Sequence, residues 1–267
     1  MGRVDVLVPT CRRPAALAVT LAGLAAQTHR DMRVVVSDQT EGASPLAAGE
    51  VQAVARVLRG RGVPVDLVRH LPRRGLAEHR QSLLDRVIAP WCLFLDDDVL
   101  LEPDVVERML AVIAREGCGF VGQAPLGLSH AGDRRPHQQA IELWDGPVRP
   151  ERVTPGAAEW ARHHVHSAAN LLHVAERLGP APWPGRTYRV AWVGGCVMFD
   201  AAKLRAAGGF GFWRRLPPEH AGEDVLAQLR VMERFGGCGL LPSGAYHLEL
   251  PTTVADRTVD APIALAG

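Results

Sequence analysis

The sequence predicts an α/β fold: a Rossmann-like sheet flanked by helices, in one large domain. Strand-like apolar runs alternate with helical patterns through the first 122 residues, as in a sheet covered on both faces. The run Trp91–Leu95 ends in three consecutive carboxylates, Asp96, Asp97 and Asp98, and open α/β sheets bind ligands beyond the carboxyl ends of their strands. At 267 residues and 47% hydrophobic content, the chain can bury the core such a domain needs.

The elements follow in order. Val4 to Thr10 reads as a first strand ending in a Pro-Thr turn, and Pro14 suits the first turn of a helix. Leu17, Leu21 and Leu24 recur at helical spacing as far as Gln27-Thr28. Met32 to Ser37 is a second strand, ending at Asp38. A Gly/Ser/Pro turn then leads into a helix over about 46–59. Val65 to Val68 is a third strand, Gly75 to Val87 a third helix, and the acid-tipped strand follows. A helix over about 104–115 and a short strand, 119–122, close the series. The pattern breaks down from Ala124 to Arg189, apart from one helix expected over 157–178; a segment of that length reads as a substrate-facing region. Order resumes with a strand over 189–199 that contains Gly194 and Gly195. A short helix over 201–207, a helix over 223–235 and a strand over 239–242 complete the chain.

Composition narrows the function. A net charge of +1 gives no electrostatic case for nucleic acid or an anionic membrane. Arginine supplies nearly all the positive charge; Lys203 is the one lysine. No apolar run approaches the roughly 18 residues of a membrane span. The five scattered cysteines form no C-x-x-C pair, and with no signal-peptide pattern they predict free thiols in a cytoplasmic protein. The turn after the first strand, Pro9 to Pro14, is neither a Gly-x-Gly-x-x-Gly nor a Gly-x-x-x-x-Gly-Lys loop. Common dehydrogenases and ATPases are therefore disfavoured.

Two acidic clusters carry the chemistry. Successive side chains on a strand point to opposite faces, so Asp96 and Asp98 share one face and Asp97 takes the other. Two carboxylates on one face call for a cation, and hard oxygen donors suit Mg2+ or Mn2+. The competing reading is a solvated acidic turn before the next helix. Glu223 and Asp224 open a helix after Gly222. They are placed either for proton transfer or to offset the helix dipole, an effect worth about 0.3–1 kcal/mol.

Taken in order, several features resemble family 2 glycosyltransferases of the GT-A fold. They are the strand ending in Pro9-Thr10, Asp38 after the second strand, Leu76 to Arg80, Leu95 to Asp98, Gly194 to Phe199, Gly208-Gly209-Phe210, and Gly222 to Arg230. The resemblance covers about residues 4–122 and 190–248 and skips the middle. It implies one continuous GT-A domain with a mixed sheet. Residues 1–122 would form the nucleotide-sugar-binding half and 123–267 the acceptor and catalytic-base half. It further implies donor contacts from Pro9, Thr10, Asp38, Arg80, Asp96, Asp97, Gly194 and Gly195, with Asp97 the weakest of the three acids. Asp98, Asp96 and a late histidine, His247, would hold Mn2+ or Mg2+. His247 also has a plain structural reading. Asp224 would be the general base of an inverting transfer from a UDP-sugar to a small-molecule or glycan acceptor. Glu223 would bind or orient the acceptor, and the two acids could exchange roles. Pro217 to His220 resembles a mobile loop that closes over the donor.

The retaining mechanism is the alternative within the class. A nucleotidyltransferase, or a sugar-nucleotide-binding protein without turnover, are the alternatives outside it. The sequence selects neither the acceptor nor an oligomeric state.

Overall fold

The computed structural model describes residues 2–254 and 256–265. The first half runs β1 (Val4–Thr10), α1 (Pro14–Ala26), β2 (Met32–Asp38), α2 (Gly49–Gly60), β3 (Val65–Arg69), α3 (Leu76–Leu84) and β4 (Trp91–Leu95). Next come β5 (Val99–Leu101), α4 (Val105–Glu116), β6 (Phe120–Gly122), α5 (Asn170–Leu178), β7 (Arg186–Tyr188) and β8 (Cys196–Asp200). The chain closes with α6 (Ala201–Ala206), α7 (Glu223–Phe235), β9 (Gly237–Leu241), β10 (Ala245–His247) and α8 (Ala261–Ala264).

Eight strands form one mixed sheet in the order β3-β2-β1-β4-β8-β6-β9-β7. The first four are parallel; β8 runs antiparallel between β4 and β6. Alternation along β1 divides the core. Val4, Val6 and Val8 face a layer with Leu17 and Leu21 of α1, Leu58 of α2 and Met109 of α4. Leu7 faces the opposite layer, with Leu83 and Leu84 of α3 and Val231 of α7. Each such side chain, fully buried, contributes about 1.5–3 kcal/mol, so the centre of the sheet is a rigid platform.

That platform positions the site. From β1 the chain winds outward to β2 on one side, while β4 lies on the other. The strand order therefore reverses between β1 and β4, where α/β sheets leave a crevice. The two expected halves are interleaved there, because β8 pairs directly with β4.

The structure corrects three expectations. First, β4 stops at Leu95, and Asp97 and Asp98 lie in a turn. The alternation that would put Asp96 and Asp98 on one face therefore does not apply to them. Second, the long helix expected over 157–178 is a 3-10 helix, Ala158–His166, followed by α5. Ala168 between them has φ of +53°, a left-handed conformation that ends helical propagation. Third, the strand expected over 189–199 begins only at Cys196, because Gly195 has φ of +69°. The middle region nonetheless folds: α5 and β7 come from it, and β7 forms the sheet edge beside β9.

Candidate active site

The site forms where β1, β4, the segment before β8, and the N-terminus of α7 converge. Thr10 ends β1, and its hydroxyl donates to Asp97 Oδ2 at 2.6 Å. The loop after β1 is braced against the loop after β2: Arg12 N donates to Thr40 Oγ1 at 2.8 Å, and Gln39 N to the Thr10 carbonyl at 3.1 Å. Asp38 is fully buried. Its oxygens accept from Thr40 N at 2.7 Å and Ser44 Oγ at 2.5 Å. The Asp38 carboxylate thus shapes the loop after β2.

The three acids divide between two arginines. Arg13, the residue before α1, donates through one Nη to Asp97 Oδ1 at 3.2 Å and Asp98 Oδ2 at 2.7 Å. Burial pushes the Asp97 carboxyl up to about 6, against the opposing effects of Thr10 and Arg13. Burial likewise raises Asp98, while His247 and Arg13 pull it down and Asp96 adds to the rise. Asp96 turns instead to Arg80 of α3, accepting from Nη2 at 3.0 Å. The Arg80 Nε donates to Glu223 Oε1 at 2.8 Å, and its guanidinium lies 5.7 Å from the centre of the Phe94 ring. Burial opposes the charge on Arg80, yet Asp96, Glu223 and Asp224 together hold its pKa above the ordinary value.

Asp224 lines a small recess with Arg80, Phe94, Gly195, Phe210 and Gln228. Desolvation, followed by the charge of Glu223, pushes its carboxyl up to about 7, and Arg80 only partly offsets this. Gln228, one turn along α7, holds the helix in place. Its side chain accepts from Val193 N and donates to Val193 O, both at 2.8 Å. Gly195 then passes close to the acids, with its carbonyl accepting from Asp96 N at 2.8 Å. A Cβ at Gly195 would come within 2.9 Å of Pro125 Cγ, so both φ and space require glycine there. Gly194 has more room, since a Cβ there would meet only the Trp192 ring at 3.7 Å.

β10 pairs with β5 and brings His247 to the acid turn, Nε2 lying 3.8 Å from Asp98 Oδ2. In kind, carboxylate oxygens and one imidazole fit Mn2+ or Mg2+. In arrangement, no group of three His, Cys, Asp or Glu side chains among the described residues converges as a metal site. A guanidinium stands on the acids instead. His247 Nδ1 accepts from Glu249 N at 2.7 Å, so in the neutral ring the proton sits on Nε2, facing Asp98.

The expected loop 217–220 is anchored. His220 Nε2 accepts from Ala77 N at 3.1 Å, and Nδ1 bonds the Pro217 carbonyl at 2.7 Å. A Cβ at Gly75 would come 2.6 Å from the Pro218 carbonyl, so this loop packs tightly on the start of α3. Arg73 and Arg74 are exposed. His163 stacks on Trp192 with 5.9 Å between ring centres, and His166 bonds the Tyr188 hydroxyl at 3.0 Å. These histidines are used in packing. A wider groove beside β7, lined by Glu176, Arg186 and Leu241, lies at the sheet edge, strands away from the acid turn.

Sequence reasoning missed Arg13, reading its loop only for the phosphate motifs it lacks. The signal was a cation between the end of β1 and Pro14, at the crevice. The Arg80–Glu223 pair had no local signal, since 143 positions separate the partners.

Residues 5–173 match the profile described as "Glycosyl transferase family 2", well over half the chain. The match takes in the first part of the middle region, which the motifs skipped, and stops within α5, before β7, β8 and α7. Among curated proteins, no sequence matches the chain. Among solved structures, the fold is similar to S. aureus TarS 1–349, at TM-score 0.56 and 14% identity over 92% of this chain and 60% of that one. TarS 1–349 in complex with UDP-GlcNAc aligns at TM-score 0.55 and 14% identity, over 94% of this chain and 60% of that one. The mannosyltransferase PcManGT from Pyrobaculum calidifontis, in complex with GDP-Man and Mn2+, aligns at 0.57 and 15% identity, over 95% of this chain and 59% of that one. The chain thus spans about 60% of the length of these structures, and at such identity the likeness is one of fold. With the profile match covering most of the chain and the mixed sheet carrying its acids at the strand-order reversal, the chain belongs to glycosyl transferase family 2.

Proposed function

We propose that this protein transfers a sugar from a nucleotide sugar, a UDP-sugar, to an acceptor hydroxyl in one displacement that inverts the anomeric carbon. One observation supports this reading: Asp224, its carboxyl pushed up to about 7, lines one recess with Arg80, which in turn bonds Asp96. A base matched to the working pH removes a proton efficiently as a bond forms. In the step, the acceptor oxygen bonds to the anomeric carbon, the bond from that carbon to the diphosphate breaks, and the acceptor proton passes to Asp224. Glu223, neutralised by Arg80, orients the acceptor side. Asp96, with its side chain 37% exposed, is open to a donor ribose. Pro9, Thr10 and Asp38 shape the nucleoside end, and Gly194 and Gly195 let the donor approach the backbone.

Asp98 and Asp96 are the oxygen donors proposed for Mn2+ or Mg2+, and His247 would join them only by moving its ring proton to Nδ1; such an ion would supply Lewis-acid stabilisation of the departing diphosphate. Mn2+ accompanies the donor in the PcManGT structure. No helix among the described residues is long and apolar enough to cross a membrane. The cysteines are free, which supports the cytoplasm as the site of action.

The test is turnover on a panel of nucleotide sugars and acceptors, with NMR of the product anomer, in Mn2+ and in EDTA. Inverted product and loss of turnover in EDTA are expected. A product that keeps the donor's configuration overturns the single displacement. Undiminished transfer in EDTA overturns the metal assignment.

A further inference from the structure

We propose that His220 is a positioning residue for the two acids of α7: it caps α3 from outside that helix and so sets where Arg80 meets Glu223 and Asp224. This rests on the reading of Asp224 as the base. α3 opens at Gly75, which has no side chain to satisfy the free amides of the first turn. The acceptor comes instead from the loop ahead of α7. Ala77 N donates to His220 Nε2 at 3.1 Å, although 143 positions separate the two. An amide N–H can only donate, so Nε2 accepts and Nδ1 carries the proton, which faces the Pro217 carbonyl at 2.7 Å. Both ring nitrogens are thus engaged, and the residue is buried.

Ala77 and Arg80 stand one turn apart on α3, so they share a face. That face meets the start of α7 twice, through Ala77 on His220 and through Arg80 Nε on Glu223 Oε1 at 2.8 Å. Only Ala221 and Gly222 separate His220 from Glu223. Ala221 leaves little slack, because its N donates to the Val259 carbonyl at 2.9 Å and its carbonyl accepts from Ala261 N at 2.8 Å. Ring and helix start are already in contact, since a Cβ at Gly75 would lie 2.7 Å from His220 Cε1. Arg80 supplies the charge, and the imidazole fixes the distance over which that charge acts. Without the cap the first turn of α3 loosens, Arg80 draws back, and the repulsion between Glu223 and Asp224 is less opposed.

The experiment compares the whole chain as wild type, His220→Asn and His220→Gln. The Asn amide still reaches Pro217 but falls short of Ala77, whereas the Gln carbonyl reaches the place of Nε2. The first readout is titration of the Asp224 carboxyl by 13C NMR, assigned with Asp224→Asn. Burial, then Glu223 and Asp96, hold that carboxyl up and Arg80 holds it down. Its midpoint should therefore move above the wild-type value of about 7 in His220→Asn and return in His220→Gln. The second readout is turnover with the donor and acceptor that the panel above selects. A misplacement of about 1 Å can cost about 100-fold in rate, so His220→Asn should lose about tenfold or more in kcat, with donor KM moving less and His220→Gln restoring most of the loss. If His220→Asn does not fold, His220→Met, which keeps the bulk without a strong acceptor, takes its place. An unmoved midpoint in the folded loss variant overturns the proposal, even where the melting temperature falls, because that is a structural cap only. Full transfer in Asp224→Asn removes the base reading and this proposal with it. Loss of transfer in Asp224→Asn with the His220 variants unmoved removes this proposal alone.

Discussion

Two arginine-centred clusters flank the crevice, built alike and held differently. Arg80 links Asp96 to Glu223, and Arg13 links Asp97 to Asp98. Arg80 projects from α3, its own side chain 6% exposed, and lies against Phe94, a core residue of β4. Arg13 projects from a loop, more exposed, with a backbone carbonyl as its third partner. One cation is part of the platform; the other is set on its rim. The helices α3 and α7, packed in one layer on the same face of the sheet, hold Arg80 and Glu223 beside Asp224. Arg13, Asp97 and Asp98 are borne on loops at the crevice.

The largest effect should come from Asp224. Replacing a positioned base removes about 10²–10⁴-fold in rate, so Asp224→Asn should lower kcat by that much while circular dichroism stays native. Glu223→Gln should lower it less if the two acids hold the roles assigned here. The opposite ranking in a kcat comparison would exchange them.

Breaking the fixed cluster should cost stability as well. Arg80→Met leaves Glu223 buried at 3% exposure without its partner, and an uncompensated buried charge costs about 3–5 kcal/mol. Because Asp96 is the more exposed partner, the lower end is expected in chemical denaturation. A loss no larger than that in Arg13→Met would erase the contrast between the clusters.

Next comes Gly195→Ala, which forces a side chain into a left-handed conformation and against Pro125. About 1–2 kcal/mol of destabilisation is expected, with a rise in donor KM if this backbone borders the donor.

pH gives the most diagnostic effect. The Asp224 carboxyl moves from 3.8 unfolded to about 7 folded, so folding favours its protonated form. The ionised form therefore costs stability: nothing below about pH 4, more as pH rises, and its full amount above about pH 7. Asp224→Asn should thus melt higher than the wild type at pH 8 and equally at pH 4. Activity runs the other way, because the base works when ionised, and the kcat profile should rise through about pH 7. A flat profile would remove Asp224 from the proton transfer.

Much of this was legible in the residues. The first four strands and their helices were placed within a few positions, because a buried parallel strand must be continuously apolar and its helices must repeat at helical spacing. The acid turn and the acidic start of α7 stood out because their side chains have few structural uses together. Less legible were β5, β7 and β10, each three residues long. So few residues show no period, and only their partners define them.

By itself the sequence determined the layers and the acids at the carboxyl end of β4, since these depend on apolar spacing and on where a buried run stops. Only the tertiary structure decided how the acids are shared out. Arg80 meets Glu223 across 143 positions, Arg13 meets Asp98 across 85, and His247 reaches the same turn through β10. Charge pairing acts over a few ångströms of space and carries no imprint along the chain, so it could be read only once the sheet had brought these ends together.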